Sequence, residues 1–189
     1  MDNVLGNISR ELFYEWLAAN HTTQSECWTE LHRSKTPPED GLWYVDSVYV
    51  ALCFGWIDSV NKRVDGVLMQ RFTPRKARST WSELNKERCR YMERLGLMTA
   101  AGRAVLPDMS PRGFVIADDI LTEFRRHRRA WHNFSTFPPL YRRVRIDTIQ
   151  RDRSDMTVFR QRLERLIAAS DECKMIGEWD DYGRLTADE

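Results

Sequence analysis

The sequence is poor in the residues from which disulfide frameworks, metal centres and membrane spans are built. It has four cysteines, none in a C-x-x-C pair, and four histidines among 189 residues. This scatter predicts reduced, structural thiols and no zinc site. No apolar run approaches the roughly 20 residues that cross a bilayer, and the N-terminus has no basic segment followed by an apolar one. We therefore expect a cytoplasmic protein without a metal, a cofactor or membrane insertion.

Motifs for phosphate loops and common nucleophiles are also missing. Only nine glycines occur, and none forms a Gly-rich phosphate loop or a G-x-S-x-G elbow. Cys53 ends an apolar segment with no histidine nearby in the sequence, which favours core packing over a nucleophilic role. We assign no catalytic residue, and an enzyme of unknown reaction stays open only as a second alternative.

Positive charge is concentrated in the middle of the chain. Residues 61–160 carry 22 Lys and Arg against 11 Asp and Glu, whereas both flanking segments are acidic. Such a distribution is typical either of an anion-binding surface or of a fold whose basic and acidic parts pair with one another. Both interpretations stay open at this point.

The strongest local signal is a β-hairpin. Two β-type runs, about 56–64 and 67–75, flank Asp65-Gly66. Such a dipeptide predicts a two-residue type I′ turn, because that turn needs positive φ at both positions.

The turn predicts a register, and the register predicts which side chains share a face. Asp58 is expected opposite Thr73, and Trp56 opposite Arg75. Because side chains alternate along a strand, Asp58 would then share a face with Arg71 and Arg75.

Helical periodicity accounts for most of the remaining chain. Helices are expected at 9–20 with Ser9 as N-cap, at 44–54, and at 80–95 with a Thr80–Glu83 capping box. Further helices are expected at 118–131, 138–150 and 154–170. The fold class is therefore α+β: a small antiparallel sheet built on the hairpin, packed against helices, with a mostly helical C-terminal region. The expected domains are an α+β domain at 1–106, a helical region at 107–170 and an acidic, frayed tail at 171–189.

The hairpin and the helix expected to start near residue 80 define a candidate pocket for a carboxylate or phosphate group. Free N–H groups at a helix start favour an anion, and Trp56 would form an apolar wall. Each residue also has a structural explanation: an Asp58–Arg71 ion pair, capping by Ser79 or Thr80, or burial of the tryptophans. The predicted ligand-binding residues are Trp56, Asp58, Arg71, Thr73, Arg75, Lys76, Ser79, Trp81, Ser82, Asn85 and Lys86.

Several spaced motifs resemble the YdeI/OmpD-associated (bacteriocin-protection) family. They are ALCFGWID from residue 51, RFTPRK from residue 71, the Trp81-Ser82 and Asn85-Lys86 pairs, and GLM from residue 96. The resemblance covers about residues 10–105. It implies a fold like the YjbR/CyaY and DUF1801 group and a cytosolic, stress-associated bacterial protein, and it implies no known reaction. We expect a non-enzymatic protein that binds a small anionic ligand or a protein partner.

Arginine-rich segments at 125–145 support an alternative function in nucleic-acid binding. Basic side chains near Trp131, Phe134 and Tyr141 could hold phosphates and stack bases. A solvated helix face explains the same pattern, and the pI near 7.7 disfavours a dedicated nucleic-acid binder. The residues of this alternative are Arg125, Arg126, Arg128, Arg129, Arg142, Arg143 and Arg145.

Overall fold

The computed structural model describes residues 1–76 and 79–187, which form two compact units. The first contains Met1–Trp81 and Glu87–Pro107. The second contains Ser82–Lys86 and the chain from Asp108 onward. The segment expected to be a separate tail thus belongs to the second unit. Residues 82–86, which begin a helix that continues in the first unit, also belong to the second unit.

The first unit contains a four-stranded mixed sheet in the order β1-β2-β4-β3. Strand β1 runs parallel to β2, whereas β2 and β3 are each antiparallel to β4. The α+β fold class is therefore confirmed, although the sheet is not wholly antiparallel. The strands are β1 (Val4–Gly6), β2 (Cys27–Glu30), β3 (Trp56–Val64) and β4 (Val67–Pro74).

The predicted hairpin turn is confirmed. Asp65 and Gly66 have φ angles of 48° and 85°, as a type I′ turn requires. The first pairs after the turn, beginning with Val64 opposite Val67, follow the predicted register.

A β-bulge then changes the register and makes the rest of the predicted pairing wrong. Between Asp58 and Asn61, two residues of β3 lie opposite the single residue Arg71 of β4. Beyond the bulge Asp58 pairs with Phe72, and Trp56 with Pro74. A one-residue offset moves every later side chain to the other face of the sheet.

Two helices cover one face of this sheet, called here the helix-covered face. Helix α1 (Arg10–Asn20) begins after Ser9, whose side chain accepts a hydrogen bond from the Leu12 N–H, as predicted. The Phe13 ring lies 5.1 Å from the ring of Phe72 on β4. Helix α2 (Tyr44–Cys53) is apolar on most sides and nearly all buried.

The next helix begins later than predicted. Helix α3 (Glu83–Arg94) starts after Ser82, whose hydroxyl accepts from the Asn85 N–H. The predicted Thr80–Glu83 capping box is therefore wrong. Thr80 lies two residues before the cap, and its carbonyl oxygen instead accepts from Arg75. A short helix, α4 (Ala100–Ala104), completes the first unit.

The second unit is helical, as expected. A 3₁₀ turn at Pro111–Gly113 precedes its helices, and His127, with non-helical backbone angles, divides the predicted 118–131 helix into two. Its core is an aromatic and aliphatic cluster that includes Phe124, Phe134 and Tyr141. The helices are α5 (Asp118–Arg126), α6 (Arg128–Thr136), α7 (Pro139–Gln150) and α8 (Met156–Asp171).

The acidic segment after α8 is packed rather than frayed, up to residue 187; residues 188 and 189 lie outside the described residues. The Tyr141 hydroxyl oxygen accepts a hydrogen bond from the Ile176 N–H at 3.0 Å. Leu185 is 4 % exposed and Asp181 is 2 % exposed. A segment that sequence composition suggested would be loose is therefore held by buried side chains and backbone hydrogen bonds.

Candidate functional site

The predicted hairpin pocket does not form as proposed, because its charged residues lie on different faces of the sheet. Asp58 pairs with Phe72 and so shares the helix-covered face. Arg71 pairs with Trp28 of β2, on the opposite face. Thr73, two residues further along β4, is on the same side as Arg71. The shared direction of Asp58 and these residues, on which the prediction depended, is wrong.

Asp58 has a structural partner on its own side of the sheet. Its carboxylate accepts a hydrogen bond from the Tyr44 hydroxyl at 2.8 Å. Burial and the neighbouring Asp58 charge raise the pKa of Tyr44 to about 12, so the phenol stays a donor. A carboxylate directly after the most apolar stretch of the chain thus accepts from a partly buried hydroxyl.

Arg71 pairs with a carboxylate from the loop before β2. Glu26 accepts from the Arg71 Nε at 2.7 Å, the Trp28 indole N–H at 2.9 Å and the Asp2 backbone N–H at 3.1 Å. These hydrogen bonds, that from Trp28 first, lower the pKa of Glu26 to about 2. The arginine predicted to bind a ligand is therefore part of a structural network.

We expect Glu26→Gln to destabilise the protein by about 1.5–3 kcal/mol at neutral pH, the contribution of hydrogen bonds to a charged group. The folded-state pKa lies below the ordinary value of 4.5, so the carboxylate stabilises the fold above pH 4.5. This contribution is lost as the pH falls towards 2.

Urea denaturation of both proteins from pH 7 to pH 2.5 measures the difference. The difference in free energy of unfolding between wild type and Glu26→Gln should be constant above about pH 5 and should decrease below it. Glu15→Gln, an exposed change on α1, should leave stability unchanged. A difference in free energy of unfolding that does not depend on pH would show that the Glu26 charge does not contribute to the network.

Trp56 belongs to the core. It is 1 % exposed, its indole N–H donates to the His21 carbonyl oxygen at 3.2 Å, and its ring meets that of Trp16 edge-on at 5.9 Å. The bulge places Trp56 on the helix-covered face, whereas the predicted register would have turned it outward. Its proposed role as a ligand wall is therefore replaced by a packing role.

The segment after β4 keeps some polar groups together. The Arg75 guanidinium stacks over the Trp81 ring at 3.7 Å and donates to the Thr80 carbonyl oxygen at 2.8 Å. Lys76 is exposed, and the Ser79 hydroxyl is buried without a hydrogen-bond partner among the described residues. Arg75 is thus held by contacts with Thr80 and Trp81.

The last three predicted residues lie in the second unit. Ser82 caps α3 through the Asn85 N–H at 3.2 Å. Lys86 pairs with the buried Glu83 carboxylate at 2.9 Å, and Arg143 of α7 lies 3.3 Å from the same carboxylate. These side chains thus anchor the start of α3 within the second unit.

The arginines of the nucleic-acid alternative do not form a continuous free stripe. Arg125 lies 5.6 Å from the Trp131 ring centre, and the Nε of Arg142 is buried. Three of the seven arginines pair with carboxylates: Arg126 with Glu123, Arg129 with Asp171, and Arg143 with Glu83. The nucleic-acid interpretation stays a prediction.

A different group of arginines lines a cavity of about 270 Å³ in the second unit. We call this cavity the arginine pocket. Among the described residues, its lining contains three guanidinium groups, one hydroxyl and four apolar or glycine residues, and no carboxylate. These residues are Arg145, Thr148, Ile149, Arg162, Arg165, Leu166, Ile176 and Gly177.

The charges in the arginine pocket are only partly compensated. Arg162 pairs with Asp152, but Arg165 forms no ion pair with any residue in the described ranges. Burial is the largest influence on the pKa of Arg145 and lowers it; the neighbouring Tyr141 and Glu178 oppose this shift, and the positive charge of Arg162 adds to it. The Nε of Arg145 is also buried without a hydrogen-bond partner in the described structure. An anion in the cavity would reduce the repulsion among the three guanidinium groups.

Sequence reasoning selected only Arg145 of this pocket, and for another role. Arg162 and Arg165 are three residues apart on α8, which places them on neighbouring positions of one helix face. That signal was available in the sequence. The sequence does not indicate that this face lies beside Arg145 of α7.

A larger groove of about 580 Å³ lies elsewhere in the second unit, with Phe159, Leu163 and Ile167 of α8 among its lining. Acidic side chains, including Asp119 and Glu123 of α5, also line it. These two carboxylates already pair with arginines. The groove therefore offers less unbalanced charge than the arginine pocket.

The cysteines offer little for catalysis. All four are free, and Cys27, Cys53 and Cys89 are buried. Burial raises the pKa of each of these three thiols to about 12, so they stay protonated and weakly nucleophilic at neutral pH. Only Cys173 is exposed. Among residues 1–76 and 79–187, no group of three or more histidines, cysteines or carboxylates could hold a metal ion.

Comparison with known proteins gives a family without an assigned activity. Residues 7–105 match a family model described as a domain of unknown function, DUF8412. No curated protein and no solved structure matches the chain. In the part of the chain that the structure describes, no helix has the length and apolar character needed to cross a membrane.

Proposed function

The chain belongs to the DUF8412 family, and we propose that it is a non-enzymatic protein that binds a small anionic ligand in the arginine pocket. The observation that carries this proposal is the set of three guanidinium groups around one cavity, with no carboxylate among the described residues that line it. The pocket lies beyond residue 105, outside the matched segment, so the proposal depends on this chain's own residues.

The size and lining of the pocket indicate the kind of ligand. A volume of about 270 Å³ corresponds to roughly nine waters and is slightly below the range of drug-sized sites. Arg145, Arg162 and Arg165 lie with the apolar side chains of Ile149 and Leu166. Guanidinium groups match phosphate and carboxylate oxygens in a bidentate geometry. The proposed ligand is a small phosphorylated or multiply carboxylated molecule with a short organic part.

The physiological part of the proposal comes from the sequence resemblance to the YdeI/OmpD-associated family. On that basis we propose a cytoplasmic role in bacterial stress protection. The support is the set of spaced motifs between residues 51 and 102, together with an α+β first unit of the expected class. A protein partner in place of a small ligand is an alternative that the binding experiment below tests.

We expect inorganic phosphate to raise the melting temperature of the wild-type protein in proportion to ln(1 + [L]/Kd). Arg165→Ala should weaken phosphate binding about tenfold or more, because a hydrogen bond to a charged group contributes about 1.5–3 kcal/mol. Isothermal titration calorimetry with phosphate, at constant ionic strength set by chloride, measures both affinities.

Arg160→Ala is the matched control, because Arg160 is an exposed arginine on the same helix and does not line the arginine pocket. Its phosphate affinity should equal that of the wild type. Loss of binding in Arg75→Ala but not in Arg165→Ala would move the site to the segment after the hairpin. No binding of phosphate, and none of citrate as a carboxylate probe, would reject the small-anion proposal and leave the partner alternative.

A further inference from the structure

The segment at 175–179, called here the strap, forms one wall of the arginine pocket. Ile176 and Gly177 line the cavity. The strap is held on α7 through Tyr141, whose hydroxyl oxygen accepts from the Ile176 N–H at 3.0 Å. The Trp179 ring meets the Tyr141 ring edge-on at 5.5 Å. The wall is thus attached to Tyr141, which does not itself line the pocket.

The same segment positions the guanidinium of Arg145. One Nη of Arg145 donates to the Glu178 carbonyl oxygen, and the guanidinium lies 5.9 Å from the centre of the Tyr141 ring. Gly177 approaches so closely that a Cβ on it would lie 2.4 Å from the Arg145 Nη1. Strap and guanidinium therefore occupy adjoining space.

We propose that the strap is part of the anion site, and that strap docking and anion binding stabilise each other. The docked strap holds the Arg145 guanidinium at the wall of the cavity, and an anion bound there favours the docked state in return. Coupling between two such events is reciprocal by thermodynamic necessity. This inference rests on the proposed small-anion function and adds the element that controls it.

Gly177 gives the sharpest variant, because the chain supplies a matched control. Gly177 has φ of +69° and Gly183 has φ of +87°, so alanine is strained at either position. Only at Gly177 would the added Cβ meet Arg145; at Gly183 it meets nothing within 4 Å. The difference between Gly177→Ala and Gly183→Ala therefore isolates the contact with the guanidinium.

Tyr141→Phe tests the attachment of the strap without altering the lining of the pocket. It removes the acceptor of the Ile176 N–H and keeps the buried ring. We expect Tyr141→Phe and Gly177→Ala each to weaken the binding of inorganic phosphate at least about fivefold, the lower end of typical allosteric coupling. Gly183→Ala should bind phosphate as the wild type does.

Hydrogen exchange of the peptide that contains residues 174–187 provides the second readout. Saturating phosphate should slow exchange of the Ile176 amide in the wild type by about the same factor by which Tyr141→Phe weakens binding. Phosphate should not slow it in Arg165→Ala. Wild-type phosphate affinity in both strap variants, with exchange unaffected by phosphate, would overturn this inference and leave the anion pocket intact. Absence of both phosphate and citrate binding in the wild type would overturn the proposed function itself.

Discussion

Trp56→Ala should destabilise the protein by about 3–5 kcal/mol, the usual cost of truncating a fully buried aromatic side chain. The indole is 1 % exposed and contacts Trp16, and its N–H donates a hydrogen bond to the His21 carbonyl oxygen. Truncation leaves both a cavity and a carbonyl oxygen without its partner. Urea denaturation followed by circular dichroism measures the loss.

Two variants separate the packing role from the ligand-wall role that the predicted hairpin register implied. Trp56→Phe keeps most of the apolar burial and loses the N–H donor, so it should cost less than Trp56→Ala. Val60→Ala, at a position 57 % exposed on the same strand, should change stability by less than about 0.5 kcal/mol. A Trp56→Ala protein with wild-type stability would contradict the core assignment and reopen the hairpin as a ligand site.

Gly102→Ala should destabilise the first unit by about 3 kcal/mol, at the upper end of the usual cost of over-packing. A Cβ at Gly102 of α4 would lie 2.3 Å from the Cys53 carbonyl oxygen and 2.7 Å from its carbon. These are backbone atoms, and the same oxygen accepts from the Thr99 N–H and hydroxyl. The end of α2 therefore has little freedom to move away. The stabilisation of about 0.5–1 kcal/mol that replacing glycine by alanine normally gives a helix is smaller than the cost of this clash.

Gly113→Ala is the matched control for this prediction. The nearest atom to a Cβ there is a carboxylate oxygen of Asp108, at 3.2 Å, which belongs to a flexible side chain. Its stability should stay within about 0.5 kcal/mol of the wild type. If Gly102→Ala were as stable as Gly113→Ala in the same denaturation experiment, the close approach of α4 to α2 would be wrong.

The hairpin shows how far local sequence reasoning reaches. Asp65-Gly66 predicted the turn, and the turn predicted the first pairs correctly. The bulge opposite Arg71 was not visible in the sequence, because it depends on the packing of side chains that are distant along the chain. One extra residue was enough to place Asp58 beside Tyr44 and to leave Arg71 with Glu26.

The arginine pocket is a feature that the sequence could not predict. The basic middle of the chain was evident from composition, and the helices that carry Arg145, Arg162 and Arg165 were predicted near their observed bounds. Which of the many arginines would meet around a cavity depended on how α7, α8 and the strap pack. Helical periodicity defines the face of one helix, but it contains no information about which neighbouring element covers that face.

The sequence by itself determined the local elements of this protein: the type I′ turn, most of the helices and the split between an α+β part and a helical part. These features depend on backbone preferences and on the spacing of apolar residues within a few positions. The tertiary structure decided which charged groups are used structurally and which remain available. That outcome depends on burial and distance between residues far apart in the chain, as with Glu26 and Arg71 or with Gly177 and Arg145.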